Sequence, residues 1–301
     1  MKTSHTSWFD NSGIPFMNVP YTNEYCHSPA MVCFYGLRMV EEYSISEQKG
    51  FEKEFLRQAD WLVENIKVRS GGFGVWEHNY SVPWYDFKPP FVSALTQGNA
   101  ISLLSKAYEV TGRSRYIETA DLASRAFQMQ IEDGGIGFVD EKGDLWLEEM
   151  AILPPPHILN GFVQALFCLH DFYDLTKDPG VLDIWEQGVK TLTWNIERYY
   201  TGYWSLYELC SDLPSPKSYH SSHIQQLERL HELTGYDCFK CVSNRWKGYS
   251  TQTANHLRSR LKRFEIHLEI HGLVDGFRTY YLNQAWKRRS EEFWKDTKSL
   301  D

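Results

Sequence analysis

Apolar residues in this chain recur at helical spacing in long paired runs, each pair broken by a short polar or glycine-containing turn. The run MVCFYGLRMVEEYSISEQKGFEKEFLRQADWLVENI, residues 31–66, reads helix, break, helix. AISLLSKAYEVTGRSRYIETADLASRAFQMQ (100–130) repeats the plan around a break at Thr111-Gly112, and GFVQALFCLHDFYDLTKDPGVLDIWEQGVKTLTWNI (161–196) repeats it again. A fourth unit opens with SYHSSHIQQLERLHELTG (218–235) and continues past a turn into CFKCVSNRWKGY. The first three pairs are followed by GGFGVW, GGIGFV and TGYWSLY, glycine-led aromatic segments that alternate like a strand or hairpin. The first two of these recur at a period of roughly 60 residues. This pattern predicts a mainly α fold, an incomplete α/α toroid of about four helical hairpins with short β-hairpins in the connecting loops. It also predicts an N-terminal segment (1–24), the toroid (25–249) and a basic helical extension (250–301).

A ring of hairpins brings its inner helices together at a central cleft, so polar residues are expected in the inter-hairpin loops and at the first turns of the inner helices. Three stretches fit: WYDFKPPFVSALTQG (84–98), WLEEMAILPPPHILNG (146–161) and SLYELCSDLPSPKSYHSSH (205–223). In the last, helical spacing sets His220 above Ile224 and His223 above Leu227, on the buried stripe. Ser221 and Ser222 read as caps, with Tyr219 and His220 in the turn that enters the helix. The two histidines are either satisfied core groups or members of a polar cluster lining the cleft.

Composition narrows the chemistry. The 301 residues are 42% hydrophobic and 23% charged, an ordinary globular balance, but aromatics reach 15%, with 11 Trp and 18 Tyr. Rings suit both a carbohydrate cleft and an aromatic core. A net charge of −8 argues against general nucleic-acid binding. No secretory leader and no membrane-spanning run is readable, so a cytoplasmic location is expected. Cys33 and Cys168 fall in apolar helical runs as reduced buried cysteines do, and the DCFKC pair lacks the second ligand pair that zinc needs. Residues 255–295 mix Arg258, Arg260, Lys262, Arg263, Lys287, Arg288 and Arg289 with aromatic residues. That is the pattern of a solvated basic helix, or of contact with an acidic polymer or a membrane surface.

Four ordered segments, SALTQGNAISLLSKAY, GD-W-EE leading to ILNGF, TG…LYEL and SYHSSHIQQLERL, resemble the D-glucuronyl C5-epimerases over roughly residues 25–249. The resemblance implies cofactor-independent inversion at C5 of D-glucuronyl residues in a heparosan-like polysaccharide, giving L-iduronyl residues. It carries the catalytic roles onto Tyr207, Tyr219 and Glu149. Three positions depart from the family: Met150 and Ala151 follow Glu149 where a tyrosine and a proline are usual, and Cys210 stands where an arginine is common.

Removing a proton next to a carboxylate builds up negative charge that hydrogen bonds or cations must neutralise, and inversion needs an acceptor on one face and a donor on the other. His220, His223 and Lys88 are candidates for gripping the carboxylate and for stabilising a phenolate. Gln97 and Asn160 either touch sugar or brace inner helices. Tyr85 and Trp146, with Trp84 and Trp204, are either stacking subsites or core. The expected partner is an acidic uronate-containing polysaccharide or oligosaccharide, with no metal or cofactor. A uronate lyase working through the same carbanion and a catalytically impaired glycan-binding relative are the alternatives.

Overall fold

The computed structural model describes residues 8–19, 25–82, 84–270 and 272. Four αα-hairpins follow one another as predicted: α1 (Pro29–Ser46) with α2 (Lys49–Asn65), α3 (Ala94–Thr111) with α4 (Ser114–Ser124), α5 (Leu159–Thr176) with α6 (Pro179–Asn195), and α7 (Lys217–Thr234) with α8 (Asp237–Ser250). Their stops are local. Gly112 and Gly235 end α3 and α7 in the left-handed region, with φ of 67° and 71°. Pro179 starts α6 behind Asp178, whose side chain accepts from the Gly180 N–H.

The odd-numbered helices form the inner layer. α1 packs on α3, α3 on α5 and α5 on α7, while each even-numbered helix backs its own partner from outside. α3 and α5 are therefore apolar nearly all round, and burial of Leu103, Leu104, Phe162, Leu166 and Leu169 among them makes one continuous core. Gly98 permits a close approach in this layer, since a Cβ there would stand 3.0 Å from that of Cys168 on α5. Cys33 and Cys168 are both buried in the core, where desolvation pushes their thiols upward. Trp76, Trp146, Trp204 and Trp246 are fully buried, so for these four the aromatic load is core.

The predicted hairpins form after the first two units, as β3 (Lys67–Val68) with β4 (Gly74–Val75) and β5 (Gly137–Val139) with β6 (Leu145–Leu147). The third glycine-led segment makes only single bridges, Tyr200 to Ser205 and Leu206 to Pro214. β1 (Phe16–Asn18) pairs with β2 (Tyr25–His27) across the expected boundary at residue 24, and Gly13 O accepts from Gln58 of α2. Among the described residues a ninth helix, α9, spans 253–270, inside the predicted C-terminal extension. Ser259, Ile266 and His267 are buried, and Arg258 lies over the Tyr203 ring at 4.1 Å. This part of the basic extension is thus docked on the toroid; Lys287, Arg288 and Arg289 lie outside the described residues. No helix among the described residues is long and apolar enough to cross a membrane.

Candidate active site

The inner helices enclose a cavity of about 670 Å³, lined by Phe34, Leu37, Arg38, Glu41 and Glu42 of α1, Leu95 and Asn99 of α3, Asn160 and Gln164 of α5, and Tyr219, Ser222 and Gln226 of α7. From α3, α5 and α7 it takes residues of the first turns, the placement that a toroid predicts. Its floor is polar and under-satisfied: Asn160 Oδ1 and Gln226 Oε1 are buried with no hydrogen-bond partner. An unmet acceptor costs about 1–3 kcal/mol unless something donates to it, so these atoms mark a place where a hydroxyl-rich ligand gains.

Glu149 sits beside this floor. The backbone on either side of it pairs with the segment that leads into α3, through Ala94 N to Glu148 O (2.9 Å) and Ala151 N to Val92 O (3.0 Å). Its carboxyl lies against the first turn of α5, and a Cβ built on Gly161 would stand 2.6 Å from Glu149 Cδ and collide with Oε2. Only a glycine leaves room for the acid. Burial is the main cause that pushes the Glu149 carboxyl up to about 8; Glu148 and Glu208 add to the rise, while the Gly161 amide and the Asn160 side chain pull it back.

Tyr207 and Tyr219 meet edge to face, with ring centroids 5.2 Å apart. Tyr207 is positioned by backbone bonds at both its groups: its N–H donates to Leu213 O (2.7 Å), and its carbonyl accepts from Leu159 N (3.1 Å) at the start of α5. Burial lifts the Tyr207 phenol well above 10 and the Tyr219 phenol to about 12. After burial, the charge on Glu149 is the largest influence raising each of them, and Arg263 opposes it in both. The three carried-over catalytic residues are therefore electrostatic neighbours.

Met150 is buried beside Phe91, Ile152 and Ile158, with Tyr80, Tyr85, Phe87 and Tyr207 packed around them. It fills an apolar wall where the family usually has a phenol. Tyr80, which sequence reasoning missed, reaches this wall from the segment after β4; its hydroxyl is 3.3 Å from His78 Nδ1, and His78 Nε2 is 3.0 Å from Thr96 Oγ1. Glu208 was also missed. It is fully buried and accepts from Tyr85, from Trp84 Nε1 (3.2 Å) and from Ser211. It stands in the LYEL motif directly after Tyr207.

Several expected binding residues lie elsewhere. His220 and His223 are fully buried behind the site. His220 Nδ1 accepts from Ser205 N (3.2 Å) and sits 2.7 Å from Ser205 Oγ, its Nε2 faces Trp246 O (3.2 Å), and its ring stacks on Trp204 at 3.7 Å. Burial depresses the two imidazoles to about 4 and about 3, so they are neutral and supply no charge to a phenolate. Ser221 and Ser222 are not caps: α7 starts at Lys217, and both hydroxyls bond back to the carbonyls of Lys217 and Ser218. Tyr219 and His220 accordingly lie within the first turn of the helix. Gln97 is a buried brace, donating to Gly74 O (2.5 Å) and Ala123 O (3.1 Å). Trp146 is a core residue whose Nε1 donates to Asp140 (3.2 Å). Tyr85 serves Glu208, and Lys88 is exposed on its loop, away from the residues that line the cavity. Asn160 alone of the expected binding residues lines it.

Residues 69–248 match the D-glucuronyl C5-epimerase C-terminus family. The chain is 28% identical over 228 residues to an uncharacterized protein of Methanocaldococcus jannaschii, covering 72% of this chain and 74% of that protein. It is 26% identical over 235 residues to the D-glucuronyl C5-epimerase of Caenorhabditis elegans, covering 72% of this chain but only 38% of the nematode protein. Among solved structures, a family 76 glycoside hydrolase from a bovine Bacteroides thetaiotaomicron strain aligns with 81% of this chain and 47% of its own, at 13% identity and a TM-score of 0.48. With more than half of its residues matched in order, the chain belongs to the D-glucuronyl C5-epimerase C-terminus family.

Proposed function

We propose that this protein is a cofactor-independent C5-epimerase of D-glucuronyl residues in an acidic polysaccharide or oligosaccharide, producing L-iduronyl residues. The observation that carries the reading is Glu149, a carboxyl pushed up to about 8 beside two high-pKa phenols, of which Tyr219 lines the central cavity. A base works best with a pKa near the working pH, and at pH 7 about a tenth of such a carboxyl is ionised. The phenols are protonated at that pH and act as donors.

In this reading ionised Glu149 takes the C5 proton, and the C5–H electron pair moves into the uronate carboxyl group. A phenol, Tyr207 or Tyr219, then gives its proton to the opposite face of C5, which restores the C–H bond with inverted configuration. Glu149 is left protonated and the tyrosine ionised, and exchange with solvent resets both. The electrostatics favour this order. Negative Glu149 adds to the rise that burial imposes on both phenols, so the proton it receives removes part of the cost of ionising the tyrosine.

The test is incubation with glucuronate-containing polysaccharides in deuterium oxide, with C5 deuterium and iduronate signals followed by NMR. Wild type incorporates deuterium, with a pH limb near 8 that rises as Glu149 ionises, and Glu149→Gln or Tyr207→Phe lowers incorporation by roughly 10²–10⁴-fold. No incorporation by wild type across the panel overturns the reading, and an ultraviolet-absorbing unsaturated uronate as the product replaces it with a lyase.

A further inference from the structure

The site gathers negative charge, with Glu148, Glu149 and Glu208 close to two phenols, and a uronate adds another carboxylate. The histidines expected to offset this are neutral and turned away. A cation is nonetheless built in, from a part of the chain outside the family match at 69–248. Arg263 of α9 donates from Nη1 to Pro214 O (2.7 Å). Pro214 bridges Leu206 and follows Leu213, whose carbonyl holds the Tyr207 N–H. Two residues further on, Pro216 is the N-cap of α7, the helix whose first turn carries Tyr219. One hydrogen bond thus ties the guanidinium to the short backbone stretch that positions both phenols.

The helix that delivers Arg263 is fixed on both sides of it. Upstream, Arg258 lies 4.1 Å over the Tyr203 ring. Downstream, Ile266 and His267 are buried, and the His267 ring is 4.4 Å from that of Trp84, whose Nε1 donates to Glu208. Arg38, unlike Arg263, is among the residues that line the cavity, but it stands on α1 with Glu42 at 3.8 Å. We propose that Arg263, supplied by α9, is the cation that meets the uronate carboxylate at the Tyr207–Tyr219 pair, an inference that rests on the epimerase reading. During proton removal the carboxyl group gains the C5–H electron pair and becomes a dianion, and a planar guanidinium stabilises that charge better than it stabilises the ground state. On reprotonation the pair returns to the new C5–H bond, so atoms and electrons balance.

The experiment compares wild type, Arg263→Gln and Arg263→Lys in the full chain, each shown to be folded by its thermal midpoint. The probes are a heparosan oligosaccharide and its carboxyl-reduced counterpart, with binding measured by calorimetry and C5 exchange by NMR. Arg263→Gln is expected to lose about tenfold or more in affinity for the oligosaccharide, to match wild type on the carboxyl-reduced probe, and to lose more in exchange rate than in binding. Arg263→Lys keeps the charge and recovers part of both. Equal losses on the two probes, or wild-type exchange in Arg263→Gln, overturn the proposal. If wild type neither binds nor exchanges, the epimerase reading is what has failed. The placement of Arg263 is then judged by a ¹³C titration of the Tyr219 phenol, where an upward shift in Arg263→Gln upholds a cation at the pair and an unmoved phenol removes it.

Discussion

Two faces of α7 carry similar-looking polar residues to opposite ends. Tyr219, Ser222 and Gln226, three and four residues apart, face the central cavity. His220 and His223 sit one step round the same turns and point to Trp204, Trp246 and Ser205, where burial strips them of charge. The EE pair divides in the same way. Glu148 accepts from the His157 backbone N–H (3.0 Å) and stands 2.6 Å from His157 Nδ1, whereas Oε2 of Glu149 has no hydrogen-bond partner. Residue type does not separate structure from chemistry here. Position does, because a polar group turned into the core cannot meet a substrate, even where one of its atoms, such as His223 Nε2, has no hydrogen-bond partner there.

The strongest way to break this contrast is at Gly161. Alanine is the better helix former, by about 1 kcal/mol, so Gly161→Ala costs nothing in local propensity. Its methyl nevertheless occupies the space of the Glu149 carboxyl. C5 exchange is expected to fall by about a hundredfold, with the thermal midpoint moving far less than a core defect would move it. Unchanged exchange in a folded Gly161→Ala protein would mean that the position of Glu149 does not matter.

The opposite face of α7 should answer in stability. His223→Ala is expected to cost about 2–4 kcal/mol in unfolding measurements and to leave exchange per folded molecule within about twofold. The pH dependence has a definite sign. Folded values of about 4 and about 3 lie below the ordinary 6.5, so the unfolded chain binds more protons over that interval. The stability held by the neutral pair is complete above pH 6.5 and is lost as pH falls toward 4 and 3. Urea titrations at stepped pH check this, and a flat profile would mean the histidines are not held neutral. The smallest effect belongs to Lys88→Ala, within about 0.5 kcal/mol in stability and with oligosaccharide affinity unchanged, because the side chain is exposed on its loop.

The ring of hairpins was legible because apolar period and glycine breaks are local signals that repeat. That Glu149, Tyr207 and Tyr219 come together was legible through motif order. The errors share one cause. A helical wheel tells which residues of α7 turn inward, but in a two-layer ring one inward direction leads to the cavity and another to the neighbouring core. His220 and His223 took the second. Gln97 and Trp146 misled for the same reason, since their partners are backbone atoms and an aspartate that become neighbours only on folding. Arg263 was visible only as one charge in a basic helix, because its role depends on where α9 docks.

Among the described residues the inner layer runs α1–α3–α5–α7 without comparable packing of α7 back on α1, although both helices line the cavity. A closed ring would accept only a chain end fed along its axis. A ring with one seam would admit a strand laid in from the side, so under the proposed reading a long polymer could be engaged at an interior sugar and released without being threaded or cut.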